Sequence, residues 1–189
     1  YGHLASFYAN IISNRIVKPN QYSPNEMRDV LNKYNSNEEQ YIEDKINVIV
    51  VMNEAFSDLS FISDFETNEE VMPYFDSLEN NAMRGNLYVS ILGGNTCNTE
   101  FEFLTGHTLA FFPPNSVVFQ NYIEEPMGSI ARVFQKNGYK TMALHPYYGG
   151  GWKRSIVYPR LGIEDFHDIA SFNEDVELVR SYVSDKSNY

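Results

Sequence analysis

Cysteine is nearly missing from this chain: Cys97 is the single one among 189 residues. A lone thiol cannot close an internal disulfide, so a small disulfide-stapled scaffold is excluded and the redox compartment stays open. Positive charge is also scarce. Lys and Arg number 14 against 25 Asp and Glu, a formal net charge of −11, and basic residues nowhere form a stripe. General nucleic-acid binding is therefore disfavoured, while a single cationic pocket remains open. No apolar run approaches the roughly 20 residues of a membrane-crossing helix. The first ten residues lack the basic and apolar segments of a secretory leader, and no repeat or low-complexity tract is present. What the chain has in plenty is aromatic side chains, at 15%, within a hydrophobic fraction of 43%. That is enough apolar material for a packed core.

The patterning alternates between the two secondary-structure periods. Ser23-Pro24-Asn25-Glu26 reads as a helix start, with Ser at N-cap, Pro at N1 and Glu at N3, and predicts a helix to about Lys33. Residues 35–44 are a polar loop or frayed helix. Residues 46–52, INVIVVM, form a β-branched run of the kind buried on both faces of a parallel sheet. Residues 70–82 place Val71, Tyr74, Phe75 and Leu78 at helical spacing. A second strand is expected over 86–92, a helix over 129–136 with Gly138 just past its end, a third strand over 139–144 and a helical tail over 173–179. Strand and helix in alternation point to an α/β domain with a parallel sheet.

In such sheets ligands sit beyond the carboxyl ends of the strands. Glu54 follows the first strand, Thr96 the second, and residues 145–154 the third. The second junction reads GGNTCNTEFEFLTG, residues 93–106. Its glycines permit a tight strand-to-helix turn, and a helix beginning at Asn98 or Thr99 would aim free N–H groups at an anion. A threonine hydroxyl there is a weak nucleophile until a base or metal activates it. An acid such as Glu54 supplies the oxygen ligand that Mg2+ or Mn2+ prefers. On pattern alone Thr96 reads first as a helix N-cap, and Glu54 is as readily a solvated strand-end acid as a ligand. Cys97 reads as packing. Trp152-Lys153-Arg154, after three glycines, suits anion recognition, since Arg offers a planar fork and Trp a flat face. The alternative is a surface loop whose Trp packs on the body. His145 is a ligand, a hydrogen-bond donor or a structural strand-end residue.

Four segments in order resemble the lipoteichoic acid synthase group, phosphoglycerol transferases of the alkaline phosphatase/sulfatase superfamily. NVIVVMNEAFSDL is similar to the family's first strand with its metal-binding Glu. GGNTCNTEFEFLTG is similar to its nucleophile turn. ALHPYYGGGWKR with YPRLGIEDF is similar to the segment whose Trp and Arg hold glycerophosphate. YGHLASFYANI with KPNQYS resembles the lead-in from a membrane anchor. The resemblance implies a parallel-sheet three-layer α/β sandwich of the alkaline phosphatase/sulfatase type, incomplete in this chain. It implies a lead-in over 1–45 and the N-terminal part of the catalytic domain over 46–189. Glu54 and Thr96 would bind Mn2+ or Mg2+, Thr96 would be the nucleophile, and Trp152, Arg154 and His145 would contact substrate. The reaction implied moves glycerophosphate from phosphatidylglycerol to a lipoteichoic-acid-type polymer on the outer face of a Gram-positive cell membrane. The anchor would lie outside this chain.

A phosphoethanolamine transferase or phosphodiesterase of the same fold, and a non-catalytic envelope-polymer binding module, are the alternatives. Two departures stand out. Tyr147 occupies the place of a family acid two residues after the His. The family's remaining metal ligands, an Asp-His pair, and a further substrate His fall beyond Tyr189, so the chain is expected to be inactive alone. The sulfatase branch is disfavoured, because Cys97 is followed by Asn98-Thr99-Glu100 with neither the Pro nor the Arg of the sulfatase maturation motif.

Overall fold

A computed structural model describes residues 2–13, 15–16, 18, 20–34, 45–53, 55–59, 62, 66–172 and 175–188. Helix α1 spans His3–Ser13 and α2 spans Pro24–Tyr34. The start of α2 matches the sequence signal: Pro24 opens it, and Ser23 Oγ accepts from Glu26 N at 3.4 Å. Neither helix buries a residue.

Among the described residues, the packed part lies between residues 96 and 184. Its helices are α4 (Thr96–Thr105), α5 (Val118–Asn121), α6 (Ile130–Lys136) and α7 (Arg154–Arg160). They follow the short α3 (Pro73–Asp76), which keeps only the Pro-initiated turn of the helix expected over 70–82. The core is Cys97, Phe101, Val118, Phe119, Ile123, Ala131, Val157, Tyr158, Leu161 and Ile163, drawn from these helices and their connections. Helix α6 begins as its sequence requires. Ser129 caps it by accepting from Arg132 N at 3.1 Å, and donates to the Leu161 carbonyl. Gly138 follows α6 at φ +75°, in the left-handed region that glycine enters at no steric cost.

Strand β1 (Met142–Leu144) pairs in parallel with β2 (Asp165–His167), in register Met142 with Asp165 and Leu144 with His167. The crossover between them carries α7, so these residues form a βαβ unit. This is the third expected strand, trimmed to its last residues, and it ends just before His145 as the pattern predicts. The first two expected strands differ. Residues 46–52 and 86–92 form neither strand nor helix, and they leave apolar side chains in solvent, with Ile49 87%, Leu87 84% and Tyr88 90% exposed. A β-branched run signals a pleated, half-buried surface, but it becomes a strand only when a neighbour supplies the ladder. Among the described residues only β1 and β2 supply that neighbour to one another in a parallel sheet.

Of the helix expected over 173–179, residues 173–174 lie outside the described residues, and 175–179 are not helical. Leu178–Val179 (β3) pairs antiparallel with Tyr182–Val183 (β4) through Arg180 and Ser181, both at positive φ, 51° and 69°. Two left-handed residues are what a two-residue type I′ connection demands, and they stop a helix. The hairpin docks on the loop after β1 through Val183 N, which donates to Pro146 O at 3.0 Å. The chain then enters the short α8 (Asp185–Asn188). None of the helices is long and apolar enough to cross a membrane, among the described residues.

Candidate functional site

Gly93 and Gly94 lead into α4 at φ +66° and +104°, conformations that side-chain-bearing residues rarely hold. Asn95, also left-handed at φ 55°, is the N-cap, and its side chain makes no capping bond. The helix starts at Thr96, ahead of the Asn98 or Thr99 start that the sequence suggests. Thr96 is therefore the first helical residue and not the cap. It is half-buried at the helix N-terminus, the end at which a helix carries its positive partial charge. A cleft of about 290 Å³ borders this turn, lined in part by Ser90, Asn95, Asn98 and Ser116.

The two residues after Thr96 turn inward. Cys97 is fully buried, and desolvation, followed by the charge of Glu100, pushes its thiol from 9.0 up to about 12. It is a packed residue, as expected. Asn98, also buried, pins the loop before α5 to α4. Its Nδ2 donates to Ser116 O at 2.7 Å and its Oδ1 accepts from Val118 N at 2.9 Å.

Glu100 closes this face of α4. It is 8% exposed, and its carboxylate accepts from Arg154 Nε at 3.1 and 3.2 Å and from Arg154 Nη2. Tyr158 Oη donates to the same carboxylate at 2.9 Å. Arg154 is 3% exposed. Burial pulls its pKa down, and the Glu100 hydrogen bonds and charge more than offset it, leaving it raised. Burial and the Glu100 charge hold the Tyr158 hydroxyl protonated, above its ordinary value. Arg154 Nη1 lies 3.1 Å from His145 Nε2 and 3.4 Å from the Gly151 carbonyl. The His145 pKa is lowered, first by burial and then by Arg154, against the opposing charges of Glu100 and Asp168.

The loop between His145 and Arg154 is held tightly. Gly149 N donates to Asp168 Oδ2 at 2.8 Å. A Cβ at position 149 would meet that oxygen at 2.7 Å and the Phe166 ring at 2.8 Å, so only glycine fits. Trp152 and Lys153 then take left-handed φ of 56° and 57°, a strained pair of the kind found at ligand-clamping turns. Trp152 is half-buried against the core, and Lys153 Nζ reaches Gln120 O at 2.8 Å. Tyr147, in the place of the expected acid, stacks on Tyr182 with ring centroids 4.4 Å apart.

Of the residues singled out from sequence, Arg154 and His145 are in direct contact, Trp152 lies in the turn leading into α7, and Thr96 sits on the helix that carries Arg154's partner. Glu54 lies outside the described residues. No group of three or more His, Cys, Asp or Glu able to hold a metal ion occurs among the described residues. Thr96 alone offers one oxygen, so these residues do not by themselves fit a divalent ion. Glu100 and Tyr158 were missed by sequence reasoning. The available signal was spacing: Thr96 and Glu100 stand four apart on one helix, Arg154 and Tyr158 four apart on another, and each pair shares a face.

The family model described as Sulfatase matches residues 46–187. A relative from Rhizobium meliloti named "Putative cyclic beta-1,2-glucan modification protein" is 38% identical over 122 residues, which are 65% of this chain and 18% of that protein. Lipoteichoic acid synthase 1 of Bacillus subtilis is 28% identical over 147 residues, covering 74% of the chain and 22% of the relative. Among solved structures, the lipoteichoic acid synthase LtaP from Listeria monocytogenes aligns with a TM-score of 0.47 and 25% identity, over 53% of this chain and 24% of that one. The chain thus spans about a fifth of the length of these curated relatives.

Proposed function

The chain belongs to the sulfatase family, and from that premise we propose that it carries the nucleophile half of a phosphoglycerol transferase site, with Thr96 as nucleophile. The observation that carries this reading is the convergence at the start of α4. Thr96 shares a helix face with Glu100, and Glu100 holds Arg154, which contacts His145. A hydroxyl, a cationic group, a neutral imidazole and a positive helix end together suit a phosphodiester.

Thr96 Oγ attacks the phosphorus of a phosphatidylglycerol headgroup. The Oγ–P bond forms, the P–O bond to diacylglycerol breaks, and the hydroxyl proton leaves with the diacylglycerol oxygen. A hydroxyl on the acceptor then attacks the threonine-linked glycerophosphate, and the proton returns to Thr96. Trp152 and Arg154 shape and polarise the substrate side. Mn2+ or Mg2+, with Glu54 and Thr96 among its ligands, would supply Lewis acidity in the intact protein, although the described residues alone do not build that site. The setting is the outer face of a cell membrane, reached through an anchor outside this chain. Sulfate-ester hydrolysis is not proposed, because Cys97-Asn98-Thr99-Glu100 lacks the sulfatase maturation residues.

The relative named for cyclic beta-1,2-glucan modification supports a second reading, in which the same transfer goes to a glucan hydroxyl in place of a glycerophosphate polymer. Both readings share the first half-reaction. The intact protein with Mn2+ and a fluorescent phosphatidylglycerol should release diacylglycerol, and Thr96→Ala should lower that rate by at least about a thousandfold. Release that survives the substitution removes Thr96 from the chemistry. Adding glucan or glycerophosphate polymer as acceptor separates the two readings.

A further inference from the structure

This inference rests on the transferase reading and concerns how its site is held. A guanidinium has five donors and no acceptor. Arg154 Nη1 at 3.1 Å from His145 Nε2 therefore requires Nε2 to be the lone-pair nitrogen, because a proton there would set two donors against each other. A neutral imidazole has one N–H, which then resides on Nδ1. Arg154 cannot swing away to relieve this arrangement. Its Nε and Nη2 edge is fixed by Glu100, and Glu100 is held in turn by the Tyr158 hydroxyl, all in a buried cluster.

The remaining groups around His145 leave the pattern intact. Asp168, whose charge bears on the ring, accepts from Gly149 N at 2.8 Å and from Ala170 N at 3.0 Å. Tyr147 meets the ring edge-on, with centroids 6.4 Å apart.

We propose that Glu100 is a positioning residue: by clamping Arg154 it fixes His145 as the Nδ1-protonated neutral tautomer, whose single N–H is a donor for a phosphoryl oxygen of the substrate. Arg154 then acts on the substrate through His145 and through its charge, with one edge of its fork committed to Glu100.

The test uses the intact protein labelled with 15N-histidine, with the His145 signals assigned by their loss in His145→Gln. Two-bond proton–nitrogen correlations distinguish the tautomers. The wild type should show Nδ1–H, Glu100→Asp should keep it, and Glu100→Gln should lose it. In parallel, kcat for diacylglycerol release should fall about tenfold to a hundredfold in Glu100→Gln with KM within about threefold, and Glu100→Asp should recover most of it. A wild-type ring carrying its proton on Nε2 overturns the proposal even if Glu100→Gln fails to fold, and so does an unchanged tautomer in a folded Glu100→Gln. The spectra need no turnover. A wild-type Nδ1–H signal lost in Glu100→Gln, in a protein inactive on phosphatidylglycerol, sustains the clamp and removes only the substrate assignment.

Discussion

At Tyr158 one hydroxyl hydrogen completes the solvation of a carboxylate that water scarcely reaches. Tyr158→Phe keeps the ring, which packs edge-on against Phe119 and Phe166, and removes only that donor. A hydrogen bond to a charged group contributes about 1.5–3 kcal/mol, so the intact protein should lose stability of that order in urea denaturation. Arg154→Met should cost more, about 3–5 kcal/mol, because it strands Glu100 as an uncompensated buried charge. A companion Glu100→Leu in the Arg154→Met background should return much of the loss. If the two single substitutions prove additive with the double, the pair is not coupled and the buried cluster is not what holds α4 to α7.

Elements show the same logic with backbone in place of charge. The β3–β4 turn holds Arg180 and Ser181 left-handed, a conformation that costs side-chain-bearing residues of order 1 kcal/mol each. Arg180→Asn with Ser181→Gly installs the preferred type I′ pair. It should raise the hydrogen-exchange protection of Val183 N and Ser184 N, which donate to Pro146 O and Glu177 O; unchanged protection would mean the turn does not limit the hairpin.

This turn also marks where sequence reading stops. Helix α6 was legible because Ser129 and Gly138 encode its ends locally, and β1 was legible up to its junction with His145. The hairpin was not legible, since Arg180-Ser181 is not the Asn-Gly or Asp-Gly pair that signals a type I′ turn. Glu100 was legible as part of a helix but not as a clamp, because its partners are 54 and 58 residues away. The strand signals at 46–52 and 86–92 reported apolar content correctly, but strand pairing is a property of neighbours. Arg154 was legible as the fork of an anion-recognition loop, whereas the nucleophile role of Thr96 came from motif resemblance, and pattern alone would have left Thr96 as a cap.

Taken whole, the fold favours the neutral forms of His145, Cys97 and Tyr158, and these three groups give its stability a defined pH window. His145 has a lowered pKa in the fold, so below its ordinary 6.5 the unfolded chain takes up the proton first and stability falls with pH. Cys97 is raised from 9.0 to about 12 and Tyr158 is raised from 10.0. Above about pH 9 the unfolded chain therefore gives up protons that the folded one keeps, and stability falls as pH rises. From these groups, thermal midpoints should be flat between about 6.5 and 9 and decline on both sides. His145→Gln should flatten the acid limb and Cys97→Ala part of the alkaline one. An acid limb unaltered by His145→Gln would place the acid sensitivity elsewhere.

Cys97 also makes the chain its own stopwatch. The thiol, on the residue next to Thr96, is fully buried in the core and kept protonated, so an alkylating reagent should reach it when the first turn of α4 lifts away from the core. With Cys97 the single sulfhydryl in this chain, its rate of modification counts those openings directly. A substrate or ion that settles on the turn slows the count, whether or not any chemistry follows.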